Sequence, residues 1–290
     1  MKVAIIGGSG KMGQWFAGFL SKEGKQAVIS GRNEDKLLEA GQQLGVEVAS
    51  NNVEAVKSAD AVILSVPLES FEEVVEQISP HVKPGQIVVD ITSTKILPVA
   101  MMQKHLKKAS ILGVHPLFGP GAKSISNQNF ILTPTSEEES ALAEKIRGYL
   151  EARGASVNMM TPREHDEKMT IILGLSHFIA LVSADTLLSS GKMEQTEAFG
   201  GITYKVLLTL VESVISEDPA LYASLQMGLP GIVEIEKLFR EKAGVWADLV
   251  KKKDRQQFSQ RMESLRESFQ KVSPNFGKAY ANMYKLVEGL

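Results

Sequence analysis

Short apolar runs alternate with amphipathic segments along the first half of the chain. The run at 61–66 is almost continuously apolar, which is typical of a strand covered on both faces of a sheet. Between such runs, apolar residues recur at helical spacing, as at Phe16, Phe19 and Leu20. This alternation predicts a parallel sheet with right-handed crossover connections. The predicted strands are residues 3–6, 27–30, 46–49, 61–66, 87–91, 110–114, 130–133 and 156–160.

The second half of the chain has helical periodicity almost throughout. The change begins near Thr161-Pro162, and no long flexible linker marks it. We therefore expect an α/β domain with a doubly wound parallel sheet at residues 1–161 and an all-α domain at residues 162–290. The predicted helices of the second domain are residues 164–190, 201–217, 219–228, 231–241, 245–252 and 254–276.

Three segments of the second domain are very apolar for surface helices. They are residues 171–173, 178–182 and 206–208. A helix that is apolar nearly all round is usually buried. We expect a homodimer formed through the helical domain, and the alternative is a purely internal core.

Composition narrows the range of partners. The 290 residues carry a formal net charge of −2, which gives no reason to expect a nucleic acid or an anionic membrane. There are no cysteines, so disulfides and thiolate chemistry are excluded. The apolar run at the start is too short for a signal peptide, and later runs are interrupted, so we expect no membrane span. We expect a cytoplasmic protein, and no spacing of His, Asp and Glu suggests a metal site.

A glycine pattern follows the first predicted strand and opens the first helix. In that context G-x-G-x-x-G is typical of the phosphate-binding turn of a Rossmann dinucleotide domain. We assign the tight turn to Gly8, the close approach of a pyrophosphate to Gly10, and helix–strand packing to Gly13. The helix N-terminus offers N–H groups to the phosphates. The alternative is a turn without a ligand; the whole segment is Gly8-Ser9-Gly10-Lys11-Met12-Gly13.

The end of the second predicted strand bears on the choice of cofactor. An NAD site usually has an acidic residue there, which accepts from the ribose hydroxyl. This chain has Ser30, Arg32 and Asn33 instead. A guanidinium suits a 2′-phosphate, and the other two side chains could add hydrogen bonds, so we predict NADP, with NAD possible. The alternative is that Arg32 is a solvent-exposed turn residue and Asp35 serves the ribose.

Polar residues at the carboxyl ends of the other strands are candidate site residues, because ligands of open α/β sheets bind there. Val66 and Pro67 are expected beside the cofactor. Ser93 could donate a hydrogen bond to a substrate, and Lys95 could offer charge to an anionic one. His115 could take up a hydroxyl proton as hydride leaves the carbon. The alternative for His115 is a turn histidine bonded to the backbone.

The remaining histidines are weaker candidates. His81 and His105 are expected on the surface. His165, with Asp166, stands at the head of a long helix, where an N-terminal cap is a sufficient explanation. His177 lies among apolar residues, either as a core histidine or facing a cleft.

With these residues the chain resembles the prephenate dehydrogenase family, which includes arogenate dehydrogenases, and in particular its archaeal-type, monofunctional members. The resemblance covers nearly the whole chain, and the His-Pro-x-Phe-Gly-Pro stretch is its most specific part. It is carried by the glycine pattern of residues 8–13 and by residues 90–95, 115–120, 164–169, 174–178 and 218–222.

The resemblance implies an oxidative decarboxylation in tyrosine biosynthesis. Prephenate would lose hydride to the nicotinamide and carbon dioxide from its ring, giving 4-hydroxyphenylpyruvate. The residue matching His115 contacts the substrate hydroxyl in the family, and those matching Ser93 and Lys95 line the same pocket. His177 lies on the helical wall, and we include Tyr222 with it as substrate-binding. The family also forms its dimer through the helical domain.

One departure from the family pattern concerns the substrate carboxylate. Many bacterial members carry an arginine shortly after the segment that matches 218–222, whereas residues 227–231 here contain none. This leaves prephenate and arogenate open as substrates. The nearest cationic candidates are Lys95, Arg163, Lys168 and Lys205.

Two other functions remain as alternatives. Dehydrogenases of 3-hydroxy acids and imine reductases share a helical Gly-x-x-x-Lys-x-x-x-Asn pattern, for which this chain supplies Gly201 and Lys205 but has Thr209 in place of Asn. A non-catalytic NADP sensor would need the glycine turn but none of the polar residues at the other strand ends.

Overall fold

The computed structural model describes residues 1–196 and 199–288. It divides into two compact units, Met1–Met169 and Thr170–Leu290. The first unit contains one eight-stranded sheet with the order β3-β2-β1-β4-β5-β6-β7-β8. Its strands are β1 Lys2–Ile6, β2 Gln26–Ser30, β3 Glu47–Val48, β4 Ala61–Leu64, β5 Ile87–Asp90, β6 Ser110–Pro116, β7 Asn129–Thr133 and β8 Ser156–Met159.

The sheet is parallel except at one pair. Strand β6 pairs with β7 in antiparallel register, with His115 opposite Ile131. The connection between β6 and β7 contains no helix, and parallel neighbours need a long crossover, usually a helix, to join them. The fully parallel sheet expected from the sequence is therefore wrong at this pair, while the doubly wound fold is confirmed.

The strands of the sheet centre are buried on both faces. Alternate residues of β1 enter different cores, with Ile5 in one, and Ala4 and Ile6 in the other. Each of these side chains is at most 1% exposed. This explains why the strands are apolar runs without polar alternation.

Helices cover both faces of the sheet. Asn33, Asn51 and Ser136 accept hydrogen bonds from backbone N–H groups as N-caps of three of them. The helix at Ile96–His105 was not assigned from the sequence. The helices of the first unit are α1 Lys11–Lys22, α2 Glu34–Leu44, α3 Asn52–Ser58, α4 Phe71–Ile78, α5 Ile96–His105, α6 Glu137–Glu151 and α7 Pro162–Met169, with short 3₁₀ turns at Leu68–Ser70 and Ser79–His81.

Helix α7 belongs to the first unit because it packs against α5 and β7. The first unit therefore ends at Met169, beyond the boundary that the sequence analysis placed at 161.

The second unit is helical over its described residues. Helix α12 runs continuously through Gly244, where the sequence analysis expected a break. A glycine inside a helix costs only about 1 kcal/mol relative to alanine, so a long helix can contain one. The helix at Ala279–Glu288 was not predicted, since the last predicted helix ends at residue 276. After a π-helical turn at Thr170–Leu175 come α8 Ser176–Ser189, α9 Met193–Thr196, α10 Ile202–Ile215, α11 Pro219–Gly228, α12 Ile232–Lys252, α13 Arg255–Val272, a 3₁₀ turn at Phe276–Lys278 and α14 Ala279–Glu288.

One helical stretch, Pro162–Ser189, is long and apolar enough to cross a membrane by length and composition alone. Only 17% of its most apolar window is buried. The residues that interrupt this stretch, Gly174, Ser176 and His177, are uncharged, so it meets the criterion of length and composition although the sequence analysis expected no membrane span. A helix that forms a core between protein subunits meets the same criterion.

Candidate active site

The turn between β1 and α1 has the geometry of a phosphate cradle. The N–H groups of Gly7 and Gly8 both donate to the carbonyl oxygen of Ser30, each at 2.9 Å. The N-cap of α1 is Gly10, which has no side chain to bond the N–H groups of the first helical turn. Those groups therefore face the position where an anion binds to a helix N-terminus.

Three glycines of this turn are required by space or backbone conformation. Gly7 has a φ of +87°, so the tight turn is made by Gly7, and the assignment of that role to Gly8 was wrong. A Cβ on Gly8 would lie 2.5 Å from the Cβ of Ile29, and one on Gly13 would lie 2.3 Å from the Gly7 oxygen. The predicted close packing of the helix at Gly13 agrees with these distances.

The neighbours of the turn complete the cradle. Val66 lies beside Gly7, since its Cγ1 is 3.2 Å from the position of a Cβ there. Pro67 is exposed at the end of β4. The side-chain amide of Gln14 donates to the carbonyl oxygen of Ser9 at 2.9 Å and holds the turn against α1. The residues present fit a dinucleotide phosphate.

The end of β2 differs in part from the prediction. Ser30 is fully buried, and its hydroxyl donates to Asn52 at 2.8 Å, so it is not available to a 2′-phosphate. The side-chain oxygen of Asn33 accepts from the N–H of Lys36 as the cap of α2. Both side chains therefore have structural partners. Arg32 is exposed and remains the candidate for a phosphate contact.

A buried ion pair lies at the carboxyl end of β5. The ammonium of Lys95 binds Asp90 Oδ1, which also accepts from the backbone N–H of Thr92 at 2.9 Å. Both charged side chains are fully buried. Burial lowers the pKa of Lys95, and the charge of Asp90 opposes that shift. Lys95 is thus a fixed internal charge and not an exposed ligand, which differs from the position that the sequence analysis assumed. Ser93, which lies between Asp90 and Lys95 in the sequence, is half-buried.

His115 is the first member of a chain of three buried side chains. It lies near the end of β6 and is 5% exposed. Its Nδ1 is 2.8 Å from His165 Nε2, and His165 Nδ1 is 2.6 Å from Asp166 Oδ1. Among the described residues no hydrogen bond is made by His115 Nε2. The alternative role for His115, a turn histidine bonded to the backbone, does not apply to Nδ1, because the partner of that nitrogen is a side chain.

Asp166, the last of these three side chains, also binds the backbone at the start of helix α5. Its Oδ1 accepts from the N–H of Lys95 at 2.7 Å, and its Oδ2 accepts from the N–H of Ile96 at 2.9 Å. The carboxylate thus caps α5. The start of α7 is capped by Thr161 and Glu164, which exchange hydrogen bonds, so capping of their own helix does not explain His165 and Asp166.

The surroundings of His115 and His165 favour the neutral form of both imidazoles. Burial lowers the pKa of His115 well below its usual value, and repulsion by a protonated His165 and by Lys95 would lower it further. Burial also lowers the pKa of His165, against the opposing hydrogen bond of Asp166. A neutral imidazole can act as a base, so the depressed pKa values keep this site ready to accept a proton.

The other candidate residues lie at separate places. Lys168 is exposed on α7 in the first unit, and Lys205 is exposed on α10 in the second. Within the second unit, the rings of His177 and Tyr222 meet edge to face with centroids 4.8 Å apart. His177 is half-buried, its Nδ1 has no partner among the described residues, and burial lowers its pKa.

A group of possible metal ligands was not expected from the sequence. The ligand atoms of Glu72, Glu76 and His105 lie within 4.8 Å of one another on α4 and α5. Glu72 and Glu76 are one helical turn apart on α4, but His105 lies on α5, so no local spacing pattern reveals the group. The ammonium of Lys104 binds Glu72 at 2.8 Å and already supplies a positive charge there.

Comparison with known proteins agrees with this geometry. A sequence profile of the prephenate dehydrogenase nucleotide-binding domain matches residues 16–159, and a profile of its dimerization domain matches residues 161–266. The chain belongs to the prephenate dehydrogenase family. This family consists of NAD(P)-dependent oxidoreductases, and the predicted resemblance is confirmed. The first profile match begins after the glycine turn, whose assignment therefore rests on the geometry given above.

Individual relatives extend the comparison over nearly the whole chain. A probable arogenate/prephenate dehydrogenase of Methanocaldococcus jannaschii is 34% identical over 272 residues, which are 93% of this chain and 61% of that protein. The chain thus spans about three-fifths of that relative's length. The crystal structure of Aquifex aeolicus prephenate dehydrogenase, in complex with hydroxyphenyl propionate and NAD+, has a TM-score of 0.76 at 20% identity and covers 94% of this chain and 98% of its own. The crystal structure of Synechocystis arogenate dehydrogenase has a TM-score of 0.70 at 18% identity, and the match covers 94% of this chain and 100% of that one.

Proposed function

We propose that this protein is an NADP-dependent prephenate dehydrogenase that converts prephenate to 4-hydroxyphenylpyruvate and carbon dioxide in tyrosine biosynthesis. The observation that carries the proposal is His115, a neutral buried imidazole at a strand end of a dinucleotide-binding sheet, with one ring nitrogen uncommitted among the described residues. A base in that position suits a substrate whose hydroxyl-bearing carbon gives up hydride.

The chemistry balances with a single base. When bound, the nicotinamide ring accepts the hydride from the ring carbon of the substrate. His115 takes the hydroxyl proton as that hydride departs, so that no full positive charge builds on the oxygen. The carbon–carbon bond to the ring carboxylate then breaks, its electron pair aromatises the ring, and His115 returns the proton to the oxygen. The reaction therefore releases carbon dioxide without a net proton.

The cofactor preference rests on Arg32. It is exposed at the end of β2, and this strand end has no acidic residue. Ser30 and Asn33 are engaged elsewhere, so the guanidinium is left to bind a 2′-phosphate. NAD would lose this contact and bind more weakly.

The substrate is a dianion that needs cationic or polar ligands besides His115. Ser93 is proposed to donate a hydrogen bond to the substrate. Lys95 is proposed to act through the electrostatic effect of its buried charge and not by direct contact. In the second unit, His177 and Tyr222 are proposed as wall residues. The candidate carboxylate ligands are Lys168 of the first unit and Lys205 of the second. Arogenate, which carries an ammonium in place of the side-chain keto oxygen, is the alternative substrate.

The proposed assembly is a cytoplasmic homodimer formed through the second unit. The dimerization profile covers residues 161–266, and large apolar side chains of this unit are exposed in the single chain. Leu188 is 68% exposed and Val233 67%, while Ile171 and Ile172 are about half exposed. Large apolar side chains exposed on a single chain suit burial in a protein interface. Neither a nucleic acid nor a membrane is proposed as a partner.

Four parallel assays test the proposal. Prephenate and arogenate are each combined with NADP and with NAD, and reduced nicotinamide is followed by absorbance. We expect the highest kcat/KM for prephenate with NADP. Heat-treated protein serves as the blank, and 3-hydroxyisobutyrate serves as a substrate control. Turnover of the hydroxy acid but of neither ring compound would overturn the assignment.

A further inference from the structure

Two buried residues that continue the hydrogen-bonded chain from His115 have no part in the proposed reaction. His165 is 0% exposed and Asp166 is 2% exposed. We propose that His165 and Asp166 are positioning residues that hold His115 in the tautomer with a bare Nε2, and that His165 takes over the positive charge when His115 accepts the substrate proton. The kinetic part of this inference rests on the function proposed above, while the tautomer assignment does not.

The tautomers follow from the Asp166 end of the chain. The backbone N–H groups of Lys95 and Ile96 can only donate, and each is directed at one carboxylate oxygen of Asp166. The carboxylate therefore acts as an acceptor toward its third partner, His165 Nδ1 at 2.6 Å, and that nitrogen carries a hydrogen. A neutral imidazole has one N–H, so His165 Nε2 is an acceptor.

The same argument continues to His115. Its Nδ1 lies 2.8 Å from the accepting Nε2 of His165, so His115 Nδ1 must carry the hydrogen. The single proton of neutral His115 is thereby used, and Nε2 is left with a free lone pair. The order of side chains thus selects which nitrogen is the base, as a buried carboxylate does through one histidine in a catalytic triad.

The carboxylates near His165 offset part of the cost of placing a proton on this buried imidazole, because Asp166 and Asp90 oppose the lowering of its pKa by burial and by Lys95. Asp90 and Lys95 balance each other as an ion pair. Asp166 adds one negative charge, while both imidazoles are neutral. The buried group therefore has a net charge of −1 before the reaction and 0 after a proton arrives. A proton placed on His165 lies directly between His115 and the carboxylate, where its charge is best compensated.

Each proton transfer stays within hydrogen-bond distance. The substrate hydroxyl proton binds to His115 Nε2, and the hydrogen on His115 Nδ1 moves to His165 Nε2 over 2.8 Å. His165 is then an imidazolium that donates from Nδ1 to Asp166. When the ring aromatises, the same steps run in reverse and His115 Nε2 returns the proton to the substrate oxygen, so no proton is released to solvent.

Two substitutions at one position separate orientation from proton sharing. Glutamine at position 165 (His165→Gln) can still accept from His115 Nδ1 through its amide oxygen, but it cannot hold a proton. Phenylalanine (His165→Phe) can do neither. Both leave Asp166 in place to cap α5, so the helix start is retained, and thermal melting of the full chain checks that each variant folds.

The deciding readout is nitrogen-15 NMR of the imidazole rings, which reports the protonated nitrogen of each histidine without substrate or cofactor. The chain has 5 histidines, so the His115→Asn variant identifies the His115 signals. We expect Nδ1–H at His115 in the parent and in His165→Gln, and an increased Nε2–H population in His165→Phe. An Nε2–H tautomer in the parent, or an unchanged tautomer in His165→Phe, overturns the inference.

Kinetics then test the transfer of charge. We expect kcat to fall about 10-fold in His165→Gln and at least 100-fold in His165→Phe, with the KM for the cofactor unchanged. Loss of activity in His115→Asn with parent-like rates in both position-165 variants would remove the positioning role while leaving the dehydrogenase assignment intact. If the expected tautomers were observed but prephenate were not turned over, the tautomer assignment would stand and the proposed dehydrogenase function would be wrong.

Discussion

The phosphate turn is tested most directly by replacing Gly13 with alanine. The added Cβ would lie 2.3 Å from the Gly7 oxygen and 2.9 Å from the Gly8 Cα. Comfortable carbon contacts are about 3.5 Å or more, so α1 and the turn must separate by about 1 Å. Overpacking of this kind costs about 1–3 kcal/mol, and the better helix propensity of alanine offsets about 1 kcal/mol of that cost. We therefore expect a net loss of up to about 2 kcal/mol.

The same displacement should weaken cofactor binding. A hydrogen bond to a charged group contributes about 1.5–3 kcal/mol, so losing one N–H contact to the pyrophosphate weakens binding by about 10- to 100-fold. The two measurements are thermal denaturation, where each kcal/mol corresponds to about 2–4 °C, and fluorescence titration with NADPH.

Gly18→Ala is the matched control, because it places the same methyl group on the same helix. Its Cβ would meet Leu44 Cδ2 at an ordinary 3.4 Å. We expect a melting temperature equal to or above that of the parent and an unchanged affinity. If Gly13→Ala bound NADPH as tightly as Gly18→Ala does, the pyrophosphate would not rest on this turn.

Three further predictions concern the cofactor, the base and pH. Arg32→Ala should weaken NADP binding about 10- to 100-fold and change NAD binding little, and an equal loss for both cofactors in calorimetric titrations would contradict the 2′-phosphate contact. His115→Asn should lower kcat about 10²- to 10⁴-fold with NADPH affinity retained, and a rate near that of the parent would exclude His115 as the base. Because burial lowers the folded-state pKa of His115 and His165, the unfolded chain binds more protons below the usual histidine pKa of about 6.5. Stability should therefore be fully present above that pH and decrease as the pH falls below it; urea unfolding at pH 7.5 and pH 5.5 should show a smaller change for His115→Asn, and an equal change would contradict this.

Much of the first unit could be predicted because its signals are local. Each strand is an apolar run between turns, and all eight predicted strands are present with end points shifted by a few residues. Helix α5 was missed because Pro98 lies in its first turn and its apolar residues are not confined to one face. The antiparallel pairing of β7 with β6 was missed because strand direction depends on the path of the connecting loop, which carries no periodic pattern.

The candidate site was predictable only in part, because its main contacts are long-range. The strand-end rule identified His115 as a candidate, but its partner His165 is 50 residues away in sequence. A His-Asp pair at a helix start has a simpler local explanation as a cap, and that explanation was wrong here. The only available signal was that Thr161 and Glu164 already form a capping box, which left the His-Asp pair unexplained.

The bond between Asp166 and the start of α5 spans 71 residues of chain, and this has a consequence for biosynthesis. A ribosome makes residues 1–116 first, and with them the central strands and the imidazole of His115. That imidazole has no partner at Nδ1 until residue 165 has emerged. In the growing polypeptide the central strands are therefore synthesised before the proposed base has its hydrogen-bond partner, which the last helix of the first unit supplies.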